Sequence, residues 1–99
     1  MQVRFRTELL RRIARENGSH TAEFAPQIVR RFRERVQQIE AAQDERDLRA
    51  LKSLRYKKLA GERAHQRSLR LNDQWRLIVE VDTAGQCTVV DVIAIEDYH

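Results

Sequence analysis

The hydrophobic period of the chain changes near residue 54, and this change limits the fold more than any other feature of the sequence. Before it, apolar residues recur every three or four positions, which is the spacing of one helix face. After it, apolar and polar residues mostly alternate, as in strands with one buried face. Because the two patterns occupy separate parts of the chain, we predict an α+β fold in a single domain over residues 1–99, with two to three helices packed on one face of an antiparallel sheet.

The first half opens with a short strand pattern and continues into helices. Residues 3–5 alternate as in a strand, and Thr7 suits the N-cap of a helix over about 8–16. Pro26 suits the first turn of a second, longer helix, and Asp44 suits the N-cap of a third, shorter one. The longer helix carries five apolar residues at helical spacing: Ile28, Val29, Phe32, Val36 and Ile39. These segments supply the predicted helical layer.

Two alternating segments around a short turn allow the register of a hairpin to be predicted. A three-residue loop at 72–74 places Leu69 opposite Leu77 and Arg70 opposite Arg76. A two-residue loop would instead mix apolar and charged side chains on each face. We therefore predict two guanidinium groups side by side on the face opposite the core, where their repulsion is destabilising unless an anion lies between them.

Two interpretations of this arginine pair are open from the sequence. In the first, the pair holds a phosphate group. In the second, the two side chains turn apart and pair with carboxylates of the last two strands, which are Glu80, Glu96 and Asp97. An Arg-rich surface can also be a solvated face with no specific ligand.

The basic side chains are mostly arginine and lie unevenly along the chain. The formal net charge is +4, and 16 of the 19 basic residues are Arg. Residues 52–76 carry eight basic and two acidic side chains, whereas residues 77–99 carry five acidic side chains and no Lys or Arg. Arg grips phosphate through two parallel hydrogen bonds and stacks on bases, so we predict a polyanionic partner. The candidate phosphate contacts are Lys57, Lys58, Arg63, Arg67 and Arg70.

The sequence ends in a tripeptide whose side chains can transfer protons. A long apolar strand is predicted over 87–96, and Asp97, Tyr98 and His99 follow it directly. His exchanges protons near neutral pH, Asp can orient the imidazole or act as a base, and Tyr can stack on a base or donate a hydrogen bond. A tripeptide anchored beside the arginine pair would form an acid/base set next to a phosphate site. The alternative is a frayed chain end.

Membrane, secreted and metal-binding proteins are disfavoured by the composition. No run of about 18 apolar residues is present, and residues 1–6 lack the apolar stretch of a signal peptide, so we expect a cytoplasmic protein without a membrane partner. Cys87 is the sole cysteine, which excludes an internal disulfide, and no nearby His completes a metal-ligand spacing. We expect neither a metal nor a cofactor.

Three segments of the second half together resemble a known family. They are KLAGER at 58–63, RSLRLNDQWRL at 67–77 and IEDYH at 95–99, and they resemble the HigB-type (plasmid maintenance killer) toxins of the RelE/ParE toxin superfamily. The resemblance covers about residues 50–99 and implies a RelE-like, microbial-RNase-type fold. It further implies a toxin of a type II toxin-antitoxin module that cleaves mRNA on the ribosome and so inhibits translation.

The resemblance also implies roles for particular residues. Arg76, which follows the Trp, would stabilise charge on the scissile phosphate, and Asp97, Tyr98 and His99 match the functional C-terminal triplet of the family. Family members often carry a His just before a Leu-x-Gly element. Here a cation stands in its place, which is Arg55, Lys57 or Lys58 depending on how the short strand is aligned. The sequence leaves open which group replaces that His.

The resulting hypothesis is a metal-independent endoribonuclease in which the ribose 2′-hydroxyl attacks the adjacent phosphate. The partners that the resemblance implies are a HigA-like helix-turn-helix antitoxin, in a toxin-antitoxin hetero-oligomer, and the ribosome with its mRNA. DNA would be contacted only through the antitoxin. Two alternatives compete: a ParE-like inhibitor of DNA gyrase, which needs no acid/base set, and a catalytically silent member that binds RNA or the antitoxin.

Overall fold

The secondary structure follows the predicted division into helices and then strands. The computed structural model describes residues 1–16 and 23–97. Its helices are α1 (Glu8–Arg15), α2 (Pro26–Ala41) and α3 (Glu45–Ala50), and its strands are β1 (Gln2–Phe5), β2 (Lys57–Lys58), β3 (Gln66–Arg70), β4 (Trp75–Asp82) and β5 (Val89–Asp97). Two short 3₁₀ turns, Lys52–Leu54 and Gly61–Arg63, flank β2.

The helices begin where the capping residues of the sequence indicate. Thr7 Oγ1 accepts a hydrogen bond from the backbone N–H of Leu10 at 3.2 Å, and Asp44 Oδ1 accepts one from the N–H of Arg46 at 2.8 Å. Pro26 occupies the first turn of α2. These three predicted starts are confirmed, whereas the predicted end of the first helix at Asn17-Gly18 falls outside the described residues.

The five strands form one mixed sheet in the order β1-β5-β4-β3-β2. All neighbouring strands are antiparallel except β1 and β5, which run parallel. The prediction of an antiparallel sheet is therefore wrong for the β1–β5 pair. A parallel pair needs a long crossover, and the chain between β1 and β5 contains all three helices and the remaining strands.

The hydrophobic core lies between the helices and one face of the sheet. Phe32 and Ile39 of α2 are fully buried there with Leu69 of β3, Leu77 of β4 and Val92 of β5. Because side chains alternate along a strand, the residues between these core positions point to the opposite face. We call that opposite face, which carries Ser68 and Arg76, the open face of the sheet.

The predicted register of the β3–β4 hairpin is confirmed. Leu69 pairs with Leu77 and Arg70 pairs with Arg76. Within the connecting loop, Asn72 Oδ1 accepts hydrogen bonds from the N–H groups of residues 74 and 75 at 2.8 and 2.7 Å. A side chain that caps its own turn in this way fixes the loop length, and the loop length fixes the register.

A buried arginine ties the helical layer to the end of β3. Arg35 of α2 is 2% exposed, and its Nε donates to the carbonyl of Arg70 at 2.8 Å. Its other nitrogens donate to the Gln38 side chain at 2.9 Å and to the carbonyl of Ser53 at 3.4 Å. Burial lowers the pKa of Arg35, and the nearby charge of Arg31 lowers it further. The guanidinium fixes β3 where the hairpin begins.

Candidate nucleic-acid interface

A cleft of about 200 Å³ opens on the open face of the sheet, across β2, β3, β4 and the end of β5. Three cations, two carboxylates, one hydroxyl and two apolar side chains line it: Lys57, Leu59, Arg63, Ser68, Arg76, Ile78, Glu96 and Asp97. A concave surface with this excess of cations suits an anionic ligand.

Strand register brings the central members of the cleft together. Lys57 pairs with Ser68, and Ser68 pairs with Ile78 on the other side. Two residues before Ile78, Arg76 pairs with Glu96 of β5. Paired residues share a face of a sheet, so all five side chains lie on the open face, in two neighbouring rows that run across the strands.

Arg63 crosses the cleft from the turn before β3. Its Nη2 donates to both carboxylate oxygens of Glu96 at 2.9 Å, and its Nε donates to Gln66 Oε1 at 2.8 Å. Gly61 begins the turn with a φ of 64°, a left-handed conformation that glycine adopts without strain. The Arg63 and Glu96 side chains are 45% and 40% exposed, so this ion pair contributes little to stability. Arg63 is therefore a cation that an anionic ligand can recruit.

The two arginines of the hairpin have different surroundings. Arg76 lines the cleft, whereas Arg70 pairs with Asp73 in the adjoining loop. Side by side in register as predicted, they do not both face the cleft. The carboxylate that Arg70 pairs with is a fourth one, outside the set that the sequence suggested. At the far end of the cleft, Asp97 Oδ2 accepts a hydrogen bond from Gln74 Nε2 at 3.1 Å.

A match to a known family agrees with this architecture. A family model named HigB-like toxin, described as the RelE-like toxin of type II toxin-antitoxin system HigB, matches residues 3–99. The chain belongs to this family. The solved structure of the YoeB/ParE toxin from Agrobacterium tumefaciens has a TM-score of 0.58 to it at 14% sequence identity, with 100% of both chains covered. At that identity the likeness establishes the fold alone. A comparison with curated proteins gives no match.

Both the predicted family and the predicted fold class are thereby confirmed. The HigB-like match spans nearly the whole chain, including the helical half, which the three motifs did not cover. Toxins of type II systems act opposite an antitoxin, so family membership implies an antitoxin partner for this chain.

Several cations that the sequence groups with the cleft lie elsewhere in this HigB-like toxin. Arg67 pairs with Val79 on the core-facing side of the sheet, and its Nε donates to Glu45 Oε1 at 3.3 Å. Lys58 pairs with Arg67 and shares that side. Arg55 follows the turn before β2 with a φ of 45° and is exposed. None of these three is among the described residues that line the cleft.

The glutamate behind Arg67 has a second partner. Tyr56 donates a hydrogen bond from its hydroxyl to Glu45 Oε1 at 2.5 Å. Burial raises the pKa of Tyr56, and the hydrogen bond to Glu45 raises it further. The Tyr56 hydroxyl therefore stays protonated at neutral pH, and its hydrogen bond to Glu45 connects the residue before β2 to α3.

The C-terminal tripeptide is described only at its first residue. Asp97 ends β5 and lines the cleft, as Arg76 does. Tyr98 and His99 lie outside the described residues, so their predicted roles stay predictions.

Two polar members of the cleft are absent from the candidate site residues of the sequence. Ser68 lies two residues before Arg70, and Glu96 lies opposite Arg76. The alternation of β3 places Ser68 and Arg70 on one face, so the period of two was the signal for Ser68. Glu96 needed the pairing of β4 with β5, which the sequence does not specify.

Neither a metal cluster nor a membrane span is found in the described part of the chain. Over residues 1–16 and 23–97, no three His, Cys, Asp or Glu side chains are placed to hold a metal ion together. The same residues include no helix with the length and apolar character needed to cross a bilayer.

Proposed function

We propose that this chain is a ribosome-dependent endoribonuclease, an mRNA interferase that inhibits translation, and that the cleft on the open face binds the phosphate of the bond to be cut. One observation carries the proposal. Arg76 and Asp97, which the family resemblance marks as functional, line one cleft together with Lys57 and Arg63. Five of the eight residues that line the cleft lie within residues 52–76, the most basic part of the sequence.

The proposed reaction is an in-line displacement at phosphorus. The ribose 2′-oxygen attacks the adjacent phosphate as its proton leaves, the bond to the 5′-oxygen breaks, and that oxygen takes up a proton. The products are a 2′,3′-cyclic phosphate and a 5′-hydroxyl end. Negative charge grows on the non-bridging oxygens, and Arg76, Lys57 and Arg63 supply cations at the cleft where that charge would develop. In this scheme side chains provide the charge stabilisation, and no metal is required.

Proton transfer is assigned by resemblance to the end of the chain. His99 would move the proton, oriented or assisted by Asp97, and Tyr98 would stack on a nucleotide or position it. The support is the position of Asp97 in the cleft. With so few catalytic groups in an open cleft, free RNA is expected to be a poor substrate, and the ribosome would hold the mRNA in line.

The proposal also specifies the setting. The single domain of residues 1–99 would act in the cytoplasm, where it meets ribosomes and mRNA. Its antitoxin would be a HigA-like helix-turn-helix protein that joins it in a hetero-oligomer, and DNA would be contacted through that partner only.

Primer-extension mapping of mRNA in a translation extract tests the proposal. The wild-type protein should cut translated mRNA, and Arg76→Ala should reduce the cuts about 100-fold or more. Arg30→Ala removes an equal charge from an exposed position of α2 and should cut normally. Wild-type protein that leaves mRNA intact and traps cleaved DNA in a gyrase supercoiling assay would favour the ParE-like alternative. The absence of both activities, together with normal growth on overexpression, would favour the silent one.

A further inference from the structure

Ser68 is a buried polar residue whose side chain lacks a hydrogen-bond partner among residues 1–16 and 23–97. The residue is 2% exposed, and within the described part of the chain its Oγ has no hydrogen-bond partner. Buried hydroxyl groups are nearly always paired, because leaving one unpaired costs free energy of desolvation. Such a serine is a candidate for a side chain that forms its hydrogen bond with a ligand.

The location of Ser68 indicates which ligand that is. Its neighbours in the sheet are Lys57 on β2 and Ile78 on β4, and all three line the cleft. Ser68 and Ile78 are each 2% exposed, so they form the floor, whereas Lys57 is exposed and belongs to the rim. A hydroxyl on the floor of a cation-lined cleft is placed to donate to an anion that those cations attract.

We propose that Ser68 is a phosphate-binding residue, whose Oγ–H donates a hydrogen bond to a non-bridging oxygen of an RNA phosphate in the cleft. The inference rests on the proposed function, since it takes RNA to be the anion. Lys57 is exposed and Arg63 is 45% exposed, so both side chains at the rim have room to move when an anion enters the cleft. Among the described residues the hydroxyl has no partner before RNA binds, so the hydrogen bond to the phosphate contributes directly to the affinity.

The test measures binding separately from cleavage. The probe is a short fluorescent RNA with 2′-O-methyl groups, which cannot undergo 2′-hydroxyl attack, and anisotropy gives its Kd at fixed salt. Ser68→Ala should weaken binding about tenfold, the effect of one lost hydrogen bond to a charged acceptor. Ser68→Cys, which replaces the hydroxyl by a slightly larger thiol that donates weakly, should weaken it similarly. Ser53→Ala changes an exposed serine outside the cleft and should leave Kd unchanged.

Stability distinguishes a ligand contact from a structural role. Removing an unpaired buried hydroxyl should leave the Tm of Ser68→Ala equal to that of the wild type or raise it, even though binding weakens. A fall in both Tm and affinity that Ser68→Cys fully restores would show that the side chain serves packing, and would overturn the proposal.

The remaining outcomes separate this inference from the proposed function. Unchanged affinity in Ser68→Ala, or failure of the wild type to bind the probe, would overturn the Ser68 contact. A wild-type protein that binds the probe, loses affinity in both Ser68 variants and leaves translated mRNA intact would refute the nuclease function while supporting the Ser68 contact.

Discussion

The two faces of the sheet in this HigB-like toxin treat their polar groups differently. On the core-facing side, Arg35 donates to three acceptors and Arg67 pairs with Glu45. On the open face, cations line a cleft whose floor holds Ser68, a hydroxyl without a hydrogen-bond partner in the described part of the chain. Full pairing stabilises a fold, whereas a buried hydroxyl held in place without a partner can donate its hydrogen bond to a ligand. Residues of β2, β3 and β4 point alternately to the two sides, so the same strands contribute to both faces.

Adjacent residues of β4 give the strongest test of this comparison. Leu77 is fully buried, and Leu77→Ala should lower the free energy of unfolding by about 2 to 5 kcal/mol. Arg76 lines the cleft, and Arg76→Ala should reduce mRNA cleavage about 100-fold or more while lowering stability much less than Leu77→Ala does. Urea unfolding and quantitative primer extension measure the two effects. A stability loss in Arg76→Ala as large as that in Leu77→Ala would contradict the claim that the core-facing side stabilises the fold while the open face binds the ligand.

The buried guanidinium of α2 should matter nearly as much for stability. Arg35→Ala leaves the carbonyls of Arg70 and Ser53 without this donor and opens a cavity, so the unfolding free energy should fall by about 2 to 4 kcal/mol. Arg31, one turn earlier in α2, is partly exposed, so Arg31→Ala is the matched control and should lower the unfolding free energy little. Urea midpoints that coincide for the two variants would show that the Arg35 contacts add nothing.

The sequence predicted those features that depend on neighbouring residues. Capping by Thr7 and Asp44 and the loop of the β3–β4 hairpin are local, and each was predicted correctly. The pairing of β1 with β5 joins strands more than eighty residues apart, and hydrophobic period does not specify the direction of such a pair.

Only some of the residues predicted for the candidate site line the cleft. Lys57 and Lys58 are adjacent in sequence, but alternation sends Lys57 to the cleft and Lys58 to the other side. Grouping cations by closeness in sequence therefore gathered residues from both faces. Glu96 depends on β5 lying beside β4, a contact between distant segments.

A smaller effect concerns the carboxylate that holds Arg63. Glu96→Gln removes a negative charge from the cleft and releases Arg63, so the affinity for the non-cleavable RNA should rise about twofold to fivefold at low salt. The gain should shrink as salt is added, because salt screens exposed charges. Glu62→Gln, next to Arg63 but not among the residues that line the cleft, should change the affinity less. Weaker RNA binding by Glu96→Gln would mean that Glu96 instead positions Arg63 for the ligand.

The smallest predicted effect is a dependence of stability on acid pH. Arg15 of α1 pairs with Glu40 of α2, and its hydrogen bonds lower the pKa of the Glu40 carboxyl. A carboxyl whose pKa is lowered by folding stabilises the protein fully above its unfolded pKa and loses that contribution as pH falls through the folded pKa. Glu40→Gln should therefore reduce the urea midpoint slightly at neutral pH and leave it unaltered in strong acid. An equal reduction at both pH values would show that the charge of Glu40 is irrelevant.

The most direct test of the central claim is an NMR titration of the ¹⁵N-labelled protein with the non-cleavable RNA. If the open face binds the phosphate backbone, the backbone amide signals that shift should belong to residues of the cleft, with Lys57, Ser68 and Arg76 among them, while those of α1 and α2 stay in place. Shifts confined to the arginine-bearing surfaces of α1 and α2, with the cleft signals unmoved, would contradict the account.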